Sequence, residues 1–239
     1  MREDALILLG EAGEKLSSMA YNSLREMIAF GDLKPGERLY PVELADRFGI
    51  SVTPVKEAFT RLHTEGYLEA VPRRGYKVAV PTLKRITELW QVRRGLEITA
   101  GELVIERLGA GSLTESALDS LDESLLQLET DGAADHRQHI ELNASFHLQL
   151  VELAGNDALT GLYVSIAQHT VGAWVQTGLS SWKDRLAGEK REHAAITRAI
   201  RNRNEDSFRV AIKGHLARSL SDAVHDLSKQ PLVAEGRQS

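Results

Sequence analysis

No cysteine occurs in the 239 residues. That excludes a disulfide framework and thiolate chemistry of any kind. No apolar run is long enough to span a bilayer, so no membrane partner is expected. Met1-Arg2-Glu3-Asp4 leads into a few apolar residues and then Glu11. That is a poor secretory signal, and a cytoplasmic location is expected. Internal repeats and low-complexity tracts are missing as well. So is any general excess of positive charge: the net charge is −5, which argues against a protein that coats nucleic acid. With 42% hydrophobic residues, the chain suits an ordinary soluble protein of one large or two small domains.

The positive charge that is present sits together. Between positions 47 and 85 there are eight basic residues: Arg47, Lys56, Arg61, Arg73, Arg74, Lys77, Lys84 and Arg85. Three acidic residues stand against them: Glu57, Glu65 and Glu69. The local balance is +5, which leaves −10 for the rest. A basic footprint on an acidic chain fits DNA contact at one place; a solvated charged surface is the plainer account.

Inside that footprint, Glu43 to Gly66 reads as two short helices separated by Gly49-Ile50. Leu44, Ala45 and Phe48 recur at helical spacing in the first, and Val55, Ala58, Phe59 and Leu62 in the second. Ser51 is expected to cap the second helix by accepting a backbone N–H, with Pro54 in its first turn. Two helices joined by a short, Gly-bearing turn describe a helix-turn-helix, whose second helix presents its N-terminal residues to base edges. Here those are Ser51, Val52, Thr53 and Lys56. Helix corners with a glycine also occur as plain core packing. Tyr67 to Val71 and Tyr76 to Val80 follow as two short strands joined by Pro72-Arg73-Arg74-Gly75. This predicts a two-stranded hairpin with a basic tip, the wing of a winged helix, able to reach phosphate or the minor groove.

The order of residues in this half resembles the DNA-binding domain of the GntR family of bacterial transcription regulators. The resemblance runs from about Met19 to Val80. It is carried by Ile28 to Leu39, Leu44-Ala45, Gly49-Ile50-Ser51, Thr53 to Ala58, Leu62, Glu65-Gly66-Tyr67 and Arg74 to Val78. It implies a double-stranded DNA operator as partner and a homodimer bound across it. Charge and resemblance together nominate Arg47, Ser51, Thr53, Lys56, Arg61, Arg73, Arg74 and Gly75 for DNA contact. The family commonly has Arg at the positions of Val52 and Lys56. Val52 cannot make a bidentate guanine contact but suits a thymine methyl, and Lys56 brings a point charge without a fork.

Pro81-Thr82 is the expected boundary between a DNA-binding domain at 1–81 and an all-α domain at 82–239. Upstream, one helix is expected over Glu14–Phe30. Downstream, Thr82 caps a long helix ending near Leu108. Ser112 or Thr114 starts the next, to about Glu129, and Asp131-Gly132 is a turn. A helix over Ala134–Ala154 closes at Gly155-Asn156. Asp157–Thr177 is apolar nearly all round and is expected to be the most buried helix. Gly178–Gly188 reads as a loop or broken helix, followed by helices over Glu189–Asn202 and Glu205–Leu227 and a polar tail. The fold class is therefore mainly α: a winged helix with a small β-hairpin, then an antiparallel helical bundle with room for a site between facing side chains.

Asn143 and His147 share a helical face at i and i+4, with His193 and His215 on the last two helices. Three neutral imidazoles and one oxygen are a set that Zn, Ni, Fe or Mn accepts. Each histidine taken singly is as well explained as a satisfied polar residue of the bundle. Arg93 lies one turn before Glu97 on an inner face and needs an anion. Either a salt bridge or a carboxylate ligand would serve. Trp174 would line the same space or simply be core. An open three-histidine site would also suit a metal-dependent hydrolase or oxygenase, but no placed general base is evident. The segment from Leu83 to Leu227 resembles the C-terminal domain of FadR-type GntR regulators. The matching residues are Arg93, Leu96-Glu97, Asn143, Phe146-His147, Ala154-Gly155-Asn156, Glu192-His193, Ala199-Ile200 and His215-Leu216. The resemblance implies a divalent metal, Zn first, on Asn143, His147, His193 and His215. It also implies a small organic-acid effector beside it, with Arg93 as its anchor. The family usually has Asp at the place of Asn143.

Overall fold

The computed structural model describes residues 3–130, 135–177 and 182–229, and side chains for 15–128, 135–167 and 182–228. Two compact units divide at Pro81 and Thr82.

The first unit contains α1 (Glu3–Ala29), β1 (Arg38–Leu39), α2 (Pro41–Phe48), α3 (Val52–Thr64), β2 (Leu68–Ala70) and β3 (Tyr76–Val78). Its core joins the apolar stripes of the three helices to the sheet: Leu24 and Ile28 from α1, Leu44 from α2, Phe59 and Leu62 from α3, and Leu68 and Val78 from the wing. Gly49 ends α2 at φ 66°, in the left-handed region glycine adopts without a Cβ clash. That tight corner allows α3 to start three residues later, at Val52. Ser51 holds the N-cap position of α3 but makes no side-chain cap, contrary to expectation. The wing has three strands, ordered β1-β3-β2 and antiparallel, instead of the expected two. Two residues of β1 are too few to show an alternating pattern, yet Leu39 pairs with Tyr76 and closes the edge of β3. At the wing tip Val71 N donates to Gly75 O at 2.8 Å, and Arg73 sits at φ 61°.

The second unit is helical among its described residues. It comprises α4 (Leu83–Gly109), a 3-10 turn (Glu115–Leu118), α5 (Asp119–Thr130), α6 (His136–Leu153), α7 (Asp157–Thr177), α8 (Trp182–Arg201) and α9 (Glu205–Lys229). Thr82 caps α4, its hydroxyl accepting from Arg85 N at 3.1 Å. α4 runs through the middle and packs on α6, α7, α8 and α9. The core includes Val104, Leu121, Phe146, Leu150, Ile196, Phe208 and Ile212. Gly101 of α4 lies under the ring of Phe208, which occupies the space a Cβ would take.

Two expectations fail here. Residues 182–188 are helical: α8 starts at Trp182 and Gly188 is inside it. An isolated glycine weakens a helix without ending it. Arg185 ties this first stretch to α9 by donating to Asp226 at 2.6 Å. Nor is the described part of α7 the most buried helix. Leu159 and Tyr163 are buried, while Leu162 is 60% and Val164 38% exposed. Apolarity all round does not say which face a neighbour covers. The expected turn at Asp131-Gly132, the side chain of Trp174 and the tail from 230 onward lie outside the described residues.

Candidate metal centre and nucleic-acid interface

Three helices bring three imidazoles to one point. His147 comes from α6, His193 from α8 and His215 from α9, all buried. His147 Nε2 lies 3.1 Å from His215 Nε2 and 3.3 Å from His193 Nε2. The opposite nitrogens of two rings are held by carboxylates. His147 Nδ1 donates to Glu97 Oε2 at 2.6 Å, and His215 Nδ1 to Glu192 Oε2 at 2.8 Å. A carboxylate only accepts, so both rings carry their proton on Nδ1. Their Nε2 lone pairs therefore face each other across 3.1 Å with no proton between them. A cation resolves that arrangement, and carboxylate–histidine pairs of this kind orient metal ligands. Three buried nitrogens form a group that could hold a metal ion.

The carboxylates are themselves fixed. Glu97 Oε1 accepts from Arg93 Nε at 2.5 Å. Burial would raise the Glu97 pKa; the Arg93 charge and the hydrogen bonds from Arg93 and His147 outweigh it and hold the group low. Glu192 is clasped by Arg218, with Nε to Oε1 at 2.6 Å and Nη2 to Oε2 at 2.7 Å. Burial again pushes upward, but the hydrogen bonds from His215 and Arg218 bring the Glu192 carboxyl down to about 2. Burial depresses His147 against the pull of Glu97. It depresses His193 well below the usual value, with the neighbouring His215 and His147 adding to it. Burial thus keeps His147 and His193 neutral while Glu97 and Glu192 stay charged, the protonation states that metal binding requires of such groups.

Of the residues singled out from sequence, the fold brings His147, His193 and His215 together. Asn143 lies one turn before His147, buried, with Oδ1 lacking a hydrogen-bond partner. An unpaired buried amide oxygen one helical turn from His147 has the chemistry of a further oxygen ligand. Arg93 is buried, and the anion it requires is Glu97 of its own helix. Glu97 and Glu192 were noted in the sequence only as parts of a pattern, and their service to His147 and His215 was not foreseen. Nor was the buried pair His139–Glu189, 2.8 Å apart. The visible signal was spacing: Glu189 and Glu192 stand four and one residues before His193.

In the first unit Ser51, Thr53 and Lys56 are exposed at the N-terminal end of α3. Val52 is half-buried against the core, which limits what it offers a base. Arg47 on α2 and Arg73 and Arg74 at the wing tip are exposed. Gly75, at φ 81°, is required there, since a Cβ would come within 3.0 Å of Leu39 O. Arg61 is placed differently. Its guanidinium lies 3.7 Å from the Tyr21 ring centroid, and Nε donates to Glu65 at 3.0 Å. Glu65 in turn accepts from the Tyr21 hydroxyl at 2.5 Å. Arg61 therefore fastens the end of α3 to α1.

Comparison with known proteins agrees with this division. Residues 16–78 match the family described as bacterial regulatory proteins, gntR family, and residues 88–218 match the FCD domain. The chain is 30% identical over 213 residues to YdhC, an HTH-type transcriptional regulator of Bacillus subtilis, covering 87% of this chain and 91% of that one. It is 29% identical over 184 residues to the Nta operon transcriptional regulator of Aminobacter aminovorans, covering 77% and 82%. Among solved structures, Escherichia coli McbR/YncC superposes with a TM-score of 0.77 at 22% identity, covering 89% and 98%.

Proposed function

The chain belongs to the GntR family of bacterial regulatory proteins and carries an FCD domain, and from that premise we propose a transcription regulator controlled by a small carboxylate effector and a divalent ion. Its relatives are transcription regulators and not enzymes. The geometry agrees, since both carboxylates bonded to the three-histidine group are occupied by Arg and His partners and neither is left as a general base.

One observation supports the metal reading above the others: two Nε2 lone pairs 3.1 Å apart, each ring locked by a carboxylate. His147, His193 and His215 would hold the ion, with Asn143 as the oxygen ligand in place of the family's usual Asp. Bound there, Zn or a similar ion would supply a Lewis-acidic position for a carboxylate. Arg93 contributes in this reading by holding Glu97, and Arg218 by holding Glu192.

DNA binding falls to Thr53, Ser51 and Lys56 on α3, Arg47 on α2, and Arg73 and Arg74 at the wing. A homodimer would set two such readers on a pseudopalindromic operator, one helical turn apart. An effector shifts DNA affinity only as far as it prefers one of the two states. The test is gel shift of purified protein on its own promoter region, after metal analysis, with and without small carboxylic acids. A specific shift that changes with an acid and disappears on chelation is expected. A shift indifferent to both would remove the sensor from this reading, and no shift would remove the reader.

A further inference from the structure

The charges at the tip of the wing sit on a loop that holds little of itself in place. Pro72, Arg73 and Arg74 are all exposed. The backbone hydrogen bonds here stay within the loop: Val71 N donates to Gly75 O at 2.8 Å, and Arg74 N donates to Val71 O at 2.9 Å. They shape the turn but do not aim it relative to α2. Arg73 at φ 61° adds strain, and a residue other than glycine keeps such a conformation only where its surroundings hold it.

Tyr40 supplies a support from outside the loop. It follows β1 and stands at the N-cap of α2, so it joins the sheet to the helix-turn-helix. β1 pairs with β3 through Leu39 and Tyr76, and the next step of that register sets Tyr40 across from Gly75. A Cβ on Gly75 would stand 3.5 Å from Tyr40 Cδ1 and 3.8 Å from Cε1. The ring therefore covers the side on which Gly75 has no side chain. An aromatic ring across from a strand glycine shields its backbone and pins the register. Tyr40 remains 38% exposed, so burial in the core does not account for so large a residue at this place.

We propose that Tyr40 is a positioning residue for DNA binding: its ring braces Gly75 and so presents Arg73 and Arg74 to the duplex backbone. The flat ring is what acts, and the hydroxyl is dispensable. The inference rests on the DNA-binding reading above and adds a residue to it.

The test is fluorescence anisotropy of the full-length protein on a labelled fragment of its own promoter region, at several salt concentrations. Tyr40→Ala is expected to bind about tenfold more weakly, the worth of one hydrogen bond to a charged group. The slope of log affinity against log salt should fall by about 1, as for a lost phosphate contact. A residue that served folding alone would leave that slope unmoved. Tyr40→Phe keeps the ring and should bind as the unaltered protein does. In a chain already carrying Arg73→Gly and Arg74→Ala, Tyr40→Ala should add no further loss. A Tyr40→Phe protein as weak as Tyr40→Ala overturns the proposal, and so does a full further loss in the chain without wing arginines. Should Tyr40→Ala not fold, 15N relaxation of the unaltered protein decides: the amides of Arg73, Arg74 and Gly75 must be as ordered as those of β3, and a loosely moving tip overturns it. If Arg73→Gly with Arg74→Ala leaves affinity and slope unchanged, the wing is not on DNA, and its part in the reading above falls together with this proposal. If that pair weakens binding and Tyr40→Ala does not, this proposal alone falls.

Discussion

Glu97 on α4 fixes the proton of His147 on α6, accepting from Nδ1 at 2.6 Å while its other oxygen accepts from Arg93 at 2.5 Å. The same Arg–Glu–His sequence recurs as Arg218, Glu192 and His215. His193 has no such support.

Glu97→Gln removes the charge that Arg93 faces and allows the amide to donate to His147, so the ring is free to turn its lone pair to the wrong nitrogen. Breaking a buried pair this way costs about 3–5 kcal/mol, and losing the oriented partner weakens metal binding about 10- to 100-fold. Urea unfolding and competition with a chromogenic chelator measure the two separately. If both values match the unaltered protein, the relay has no energetic role.

Acid should destabilise the protein in two stages. His147 and His193 are held neutral by burial, below the unfolded value of 6.5. As pH falls under 6.5, the unfolded chain takes up protons the native state refuses, and stability drops. Glu192 is depressed from 4.5 to about 2. Its contribution is complete above pH 4.5 and is lost as pH falls from there toward 2. Unfolding midpoints should therefore be level near neutrality, decline below 6.5 and decline faster below 4.5. A midpoint unchanged from neutrality down to 4.5 would contradict the first stage.

Gly101→Ala places a methyl into the Phe208 ring. Overpacking of this kind costs about 1–3 kcal/mol. Adding Phe208→Leu to the same chain should recover part of the loss, because the smaller side chain frees the space. A double-mutant cycle by thermal unfolding checks it, and purely additive effects would mean the ring is not the obstacle.

Lys56 and Arg61 both lie on α3 and should part company in a salt titration. Lys56→Ala removes an exposed charge and is expected to lower the slope of log affinity against log salt by about 1. Arg61→Ala should leave the slope alone and cost roughly 0.5–1 kcal/mol of stability, the worth of its position over Tyr21. The reverse outcome would put Arg61 on a phosphate.

Much of this was readable from local signals. Gly49, Pro81, Thr82 and Gly155 marked ends and caps because each imposes a backbone state or a hydrogen bond regardless of distant neighbours. Periodicity placed six helices after Pro81, and the spacing of Asn143, His147, His193 and His215 pointed to one site. The misses concern relations across the fold. Strand β1 exists through its partner β3. The covered face of α7 is set by its neighbours, and Gly188 is carried by the Arg185–Asp226 link. Glu97 and His147 are 50 residues apart, so only the bundle could join them. Charge marked Arg61 as basic, but its contact with the Tyr21 ring, 40 positions away in the chain, is made only by the fold.

Arg73 holds φ 61° at the tip of the wing, a conformation that suits glycine better than arginine. A glycine at 73 would fold with less strain and leave nothing there to grasp a nucleic acid. In the DNA-binding role proposed above, a sturdier hairpin and a firmer hold on the operator therefore pull in opposite directions at one position. Arginine there trades backbone ease for a positive charge at the wing tip.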